Sequence, residues 1–222
     1  MAEKINQQMS MTDIVMLVVL SVLWGGSFFF VEILIEYLPP LTIVTLRVGL
    51  AALTLWVLII VLKIPIPKTR QHWGALTVVG FLNNALPFCL IAWGQTQISS
   101  GLASIFNATT SFFTVIIAGI FLVDERITRQ KLIGVIFGIF GVIILIGPEA
   151  LSGLKDPVFG QLAVIGASIS YALSSVYSRR FKDWGLPPFI VVTGQVSMAT
   201  LILLPIMLIV DKPWEQPFIP LV

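Results

Sequence analysis

The chain has 222 residues, of which 57% are hydrophobic and 11% charged, and its formal net charge is +2. Soluble domains carry about 25% charged residues, so the composition excludes an ordinary water-soluble enzyme, and the small net charge without a basic stripe gives no ground for nucleic-acid binding. A single cysteine and a single histidine allow neither an intramolecular disulfide nor a Cys/His metal cluster, and no cofactor is implied.

A helix rises about 1.5 Å per residue, so a hydrocarbon core of about 30 Å takes about 20 apolar residues to cross. The first apolar run, 12–38, is preceded by Lys4 but is too long for a signal peptide and lacks a small-residue cleavage site, so it reads as a retained span. Ser10 and Asp13 have the spacing of a helix-start capping pair, which places the start near Met11. Trp24 and Glu32 lie inside this span. After Leu38-Pro39-Pro40 comes a second span, 41–62, with Arg47 roughly 9 Å deep at about 1.5 Å per residue. Charge at the bilayer centre costs about 2.5–3.5 kcal/mol on insertion scales. Glu32 and Arg47 are equidistant from the midpoint of the two prolines, so a Glu32–Arg47 contact is one expectation. Arg47 bonding carbonyls or headgroups while Glu32 snorkels separately, and Arg47 touching a solute, are the alternatives.

The third span, 73–93, begins beside His72, which reads as an interfacial residue. It holds Asn83, Asn84 and Pro87. Proline lacks an N–H, so Pro87 frees the carbonyl of Asn83, and polar groups at that depth must face protein or a watery cavity. Lining a substrate path and bonding between helices are both open readings. Cys89 reads as a packing residue. In the fourth span, 102–123, Asn107, Ser111 and Thr114 share one face at i, i+4 and i+7, as a cavity wall or a packing face. Asp124-Glu125-Arg126 follow as a helix-end ion network. The fifth span, 132–146, is short and must borrow flanking residues or lie in a thinned bilayer; its Gly134, Gly138 and Gly141 predict close helix packing. Gly166, Ser170 and Ser174 predict the same in the sixth span, 159–177, where Tyr171 joins Trp24 and Trp93 as candidates for an aromatic wall, interfacial placement being the alternative for all three. The seventh, 189–210, contains Pro205, a predicted kink.

The basic residues divide sharply between sides. Lys4, Lys63, Lys68, Arg70, Arg126, Arg129, Lys131, Arg179, Arg180 and Lys182 fall on one side, and only Lys155 and Lys212 on the other. Cytoplasmic loops carry this excess, which predicts a cytoplasmic N-terminus. A shift of 148 superposes Leu38-Pro39-Pro40 on Leu186-Pro187-Pro188, Val44-Thr45 on Val192-Thr193, and Ala51 on Ala199. The two proline tips have opposite charge surroundings, so the halves read as inverted repeats, a pattern of secondary transporters. The same shift places Gln195 at the position of Arg47.

Trp24-Gly25-Gly26-Ser27-Phe28, Arg47 after the proline turn, and Phe121-Leu122-Val123-Asp124-Glu125-Arg126-Ile127-Thr128 followed by Gly134 and Gly141 resemble the drug/metabolite transporter superfamily, EamA type. The resemblance covers essentially the whole chain. It implies ten helices in two inverted five-helix units, in an inner-membrane transporter of metabolites that is often an exporter. Here residues 1–11 read as a cytoplasmic tail, 12–147 as a complete first repeat, 148–159 as a linker and 160–222 as part of a second, so the sequence reads as a fragment with three spans to come.

The expected fold is therefore an all-α polytopic bundle with seven of ten spans, in an inner or plasma membrane. The expected function is secondary transport of small organic metabolites, such as amino acids or related compounds, by alternating access. Trp24, Asn83, Asn84, Asn107, Ser111 and Tyr171 are the candidate substrate-binding residues; Glu32, Arg47 and Pro87 are structural or gating candidates. The expected partners are a small-molecule substrate and lipid, with a homodimer left open. A retinal protein would need a lysine in the last span, and an intramembrane protease would need a membrane histidine; neither is present. A non-transporting scaffold or partner subunit is the alternative.

Overall fold

A computed structural model describes residues 10–122, 127–146 and 157–215. Every regular element among them is helical. The seven spans appear as α1 (Met11–Leu34), α2 (Pro40–Val61), α3 (Arg70–Gln95), α4 (Ser100–Phe121), α5 (Arg129–Ile146), α6 (Val158–Ser178) and α7 (Pro188–Val210). Six of these are long and apolar enough to cross a bilayer; α5, with 18 residues, is the short one. It begins three residues before its apolar run, at Arg129, and so recruits flanking residues as expected. Lys4, Asp124-Glu125-Arg126 and Lys155 lie outside the described residues.

Local chemistry fixes the helix starts. Ser10 accepts from the Asp13 N–H at 3.2 Å, while Asp13 accepts from the Ser10 N–H at 2.8 Å, closing a capping box at α1. Pro40 and Pro188 occupy the first helical positions of α2 and α7, where a missing N–H costs nothing. Pro39 offers α2 no side-chain cap. The carboxylate of Asp211, just past α7, fills that role by accepting from the Thr42 N–H and hydroxyl, both at 2.7 Å.

Two spans are interrupted. In α3 the α-helical pieces Arg70–Gly80 and Leu86–Gln95 flank a wider π-turn, Phe81–Ala85. The Leu86 N–H reaches back five residues to the Phe81 carbonyl. Span α4 breaks between Ser100–Ala108 and Thr110–Phe121. There Thr109 and Thr110 donate their hydroxyls to the Phe106 and Asn107 carbonyls at 2.5 and 2.7 Å, the kind of back-bonding that bends helices.

The core lies where α3 is gripped by α6 and α7. Val164, Ala167, Ile91, Leu102 and Ile105 form one buried cluster; Val44, Val48, Ala85, Ala199 and Leu203 form another. Close approach depends on glycine at two points of α3, one on each side of the π-turn. A Cβ on Gly80 would stand 2.5 Å from the Gln195 carbonyl oxygen in α7, and one on Gly94 would stand 3.0 Å from the Gly160 carbonyl oxygen in α6. Ser170 and Ser174 are buried in the α6 packing face as expected. Among the described residues the glycine stripe of α5 packs against nothing: no atom lies within 4 Å of a Cβ built at Gly134, Gly138 or Gly141. His72 stacks on Trp184, ring centroids 5.0 Å apart, beside a buried cluster of Ala75, Leu76, Val79 and Phe181.

Candidate functional site: a polar chamber between interrupted helices

The two helix interruptions face each other across α6. Widening the α3 turn takes the Leu86 N–H away from the Leu82 carbonyl, and the Ser170 hydroxyl donates to that carbonyl instead, at 2.7 Å. The Ser168 hydroxyl donates to the Phe106 carbonyl at 3.1 Å, next to the α4 break. The Ser170 hydroxyl of α6 thus satisfies the carbonyl freed in α3, as an apolar medium requires, while Ser168 adds a donor at the α4 break, where the Phe106 carbonyl already accepts from Thr109. The sequence expectation placed the freed carbonyl at Asn83 through Pro87. The π-turn moves the exchange one residue back, to Leu82.

These interruptions border a chamber of about 550 Å³, lined by Trp24, Asn83, Asn84, Phe88, Asn107, Ser111, Tyr171 and Gln195 among others. All six sequence-predicted substrate-binding residues are on its wall. Asn83 donates to the Gln195 amide oxygen at 3.4 Å, so Asn83 is partly engaged between helices. Asn84 Nδ2, Asn107 Oδ1 and the Tyr171 hydroxyl are buried atoms that find no hydrogen-bond partner among the described residues. Asn84 is 5% exposed and Tyr171 9%. Unpaired buried polar groups cost about 1–3 kcal/mol each, so three on one wall require a reason beyond packing. Trp24 stands edge-to-face with Tyr171, centroids 6.2 Å apart, and Phe88 does likewise at 6.4 Å. Trp24 is nevertheless 40% exposed, leaving the α1 side of the chamber thinly covered.

A second, smaller compartment of about 20 Å³ lies behind Trp24, Phe88 and Tyr171, which line both spaces. Such a volume takes about one water-sized group. Arg47 projects into it, its guanidinium carbon 4.2 Å from the centroid of the Phe88 ring, a cation–π distance. Gln95 also lines it; its amide nitrogen donates to the Phe28 carbonyl at 3.0 Å, while its oxygen is buried and unpaired.

The expected Glu32–Arg47 pair does not form. Both Glu32 carboxylate oxygens turn to the start of α4, accepting from the Ser100 N–H at 3.2 Å and its hydroxyl at 2.5 Å. The first turn of a helix offers unpaired N–H groups and a positive dipole end, and that attraction wins over the guanidinium. Glu32 lines neither space. Pro87 is buried at the first turn of the second α3 piece. The face of Asn107, Ser111 and Thr114 divides: Asn107 and Ser111 line the chamber, whereas Thr114 continues with Ser111 and Ala118 into a groove beside α5. Gln195 and Phe88 are wall residues that sequence reasoning passed over; the repeat register had already placed Gln195 opposite Arg47.

A helical bundle with six membrane-length apolar helices, enclosing a chamber that carries amide and hydroxyl groups on a largely apolar wall, is a multi-pass membrane protein. The chain belongs to the EamA-like transporter family, whose pattern matches residues 11–147. It is 26% identical over 171 residues to an uncharacterized transporter, YoaV, of Bacillus subtilis (strain 168), covering 76% of this chain and 58% of that protein. It is 28% identical over 180 residues to a probable amino-acid metabolite efflux pump of Escherichia coli (strain K12), covering 81% and 58%. It is 28% identical over 162 residues to an uncharacterized inner membrane transporter, YedA, of the same strain, covering 72% and 51%. The chain therefore spans a little over half the length of these curated relatives. No solved structure matches it.

Proposed function

We propose that the chain forms the substrate-bearing part of a secondary transporter that moves small organic metabolites across a bacterial-type inner membrane. The observation that carries this reading is the set of unpaired buried atoms, Asn84 Nδ2, Asn107 Oδ1 and the Tyr171 hydroxyl, on one chamber between broken helices. A solute carrying donors and acceptors satisfies them, and broken helices at a binding site are a recurring transporter device. Trp24, Tyr171 and Phe88 supply apolar contact, while Asn83, Asn84, Asn107 and Ser111 orient polar groups. Amino acids and related compounds fit this mixture, in keeping with the name of the Escherichia coli efflux pump. In this reading the N-terminus is cytoplasmic, residues 12–147 and 160–222 belong to inverted repeats, and rocking between the repeats alternates access.

The test is counterflow of radiolabelled amino acids in proteoliposomes containing the chain, with Asn84→Leu as the comparison. Saturable counterflow in the unaltered chain that falls at least tenfold in the variant is the expected result. Counterflow absent from well-folded chain would refute transport by this chain and favour a partner-subunit role.

A further inference from the structure

We infer that Arg47 and the Tyr171 hydroxyl form a carboxylate-reading subsite, so that the solute is an organic acid held by its carboxylate in the smaller compartment. This rests on the transporter reading of the larger chamber. Arginine stays protonated at any physiological pH and presents five N–H donors. Among the described residues Arg47 makes no hydrogen bond and no ion pair; its one close partner is the face of Phe88. Neither space has an Asp or Glu among its described lining residues. Glu32, a carboxylate within the spans, is committed to Ser100. Among the described residues, no carboxylate lining either space supplies a counter-charge for this guanidinium.

Arg47 lies inside α2, faces a compartment walled by aromatic rings, and shares that compartment with a buried, unpaired phenol. Guanidinium and phenol are both donors, and a carboxylate has only acceptors to offer. The planar fork matches its two oxygens. The compartment takes about one water-sized group, room for a carboxylate oxygen beside the guanidinium, whereas the adjoining chamber has room for the remainder of the molecule. At the repeat-related position Gln195 is neutral and engaged with Asn83. The binding space is therefore polarised, with one charged end and one amide-lined end, and it holds an acid in one orientation.

The experiment compares matched acids and amides: 3-phenylpropionate, L-phenylalanine and L-leucine against their primary amides. Binding is read by thermal shift and by tryptophan fluorescence on the whole chain in dodecyl maltoside, where no phosphate headgroup competes. The acids are expected to bind on the order of 10- to 100-fold more tightly than the amides, the range for a charge-assisted hydrogen-bonded contact. Arg47→Gln is expected to erase the difference by weakening acids alone. Arg47→Lys keeps the preference at reduced affinity. Should Arg47→Gln not fold, the unaltered chain supplies the test: acids, not amides, protect Arg47 from phenylglyoxal in peptide mass spectra. Equal binding of acids and amides, or a preference that survives Arg47→Gln, or the absence of acid-specific protection, overturns the subsite and leaves the chamber reading standing. Counterflow lost in Asn84→Leu but insensitive to Arg47→Gln for acids overturns the subsite in the same way. Failure of every acid and amide to bind overturns both readings.

Discussion

Replacing Gly80 by alanine adds one methyl group at the tightest helix crossing of the bundle. The new Cβ would stand 2.5 Å from the Gln195 carbonyl oxygen, 3.1 Å from Met198 Cβ and 3.2 Å from the Ala199 nitrogen. Ordinary contact begins near 3.4 Å, so the first distance falls short by about 0.9 Å. Two of the three obstructing atoms are backbone of α7 and cannot rotate away. Relief requires α3 and α7 to separate, which loosens the packing of Leu76 against Gly194 and the Asn83–Gln195 bond together. Overpacking of this kind costs about 1–3 kcal/mol, and the better helix propensity of alanine returns up to about 1 kcal/mol. A net loss of about 1–2 kcal/mol is expected. Gly134→Ala is the internal control, since nothing lies within 4 Å of its Cβ; the same propensity gain then stands unopposed. Titration with dodecyl sulfate in mixed micelles, followed by circular dichroism, measures both. A Gly80→Ala chain as stable as the parent, or a Gly134→Ala chain destabilised as much as Gly80→Ala, would refute the crossing geometry.

Asp211→Ala removes the carboxylate that caps α2 and is expected to cost about 1–2 kcal/mol, with faster amide hydrogen exchange confined to the first turn of α2; Thr42→Val should reproduce part of that loss. Glu32→Gln keeps an acceptor for Ser100 and lines neither space, so the counterflow expected of the proposed transporter should persist within about twofold. A collapse of counterflow would mean that the Glu32 charge itself is needed for transport. Ser170→Ala strips the Leu82 carbonyl of its donor and should destabilise the bundle by about 1 kcal/mol, with altered exchange at the Phe81–Ala85 turn. Unchanged exchange there would mean that the wide turn does not depend on α6.

The spans were legible because seven apolar runs have no other use, and the chamber because Asn83, Asn84, Asn107 and Ser111 stand out against hydrocarbon-like sequence. What escaped was relative rotation and contact between distant helices. Glu32 and Arg47 share a depth by symmetry about the proline turn, but depth says nothing about azimuth, and Glu32 faces α4. The break at Thr109 arises from ordinary hydroxyl-bearing residues whose effect depends on which carbonyl each reaches. Pro87 signalled trouble in α3, but whether a helix answers a proline by kinking or by widening a turn depends on its neighbours; here Ser170 supplies the donor that makes widening possible. Glycines look alike in sequence, yet Gly80 abuts the α7 backbone while Gly138 faces open space.

The wide turn in α3 carries one residue more than an ordinary turn, and α3 is pinned above and below it by Gly80 and Gly94. One residue corresponds to about 100° of winding. If that surplus were to migrate along α3, as a ruck passes along a carpet, Asn83 and Asn84 would swivel away from the chamber while both glycine anchors kept their grip. A helix built in this way can turn its middle without shifting its ends.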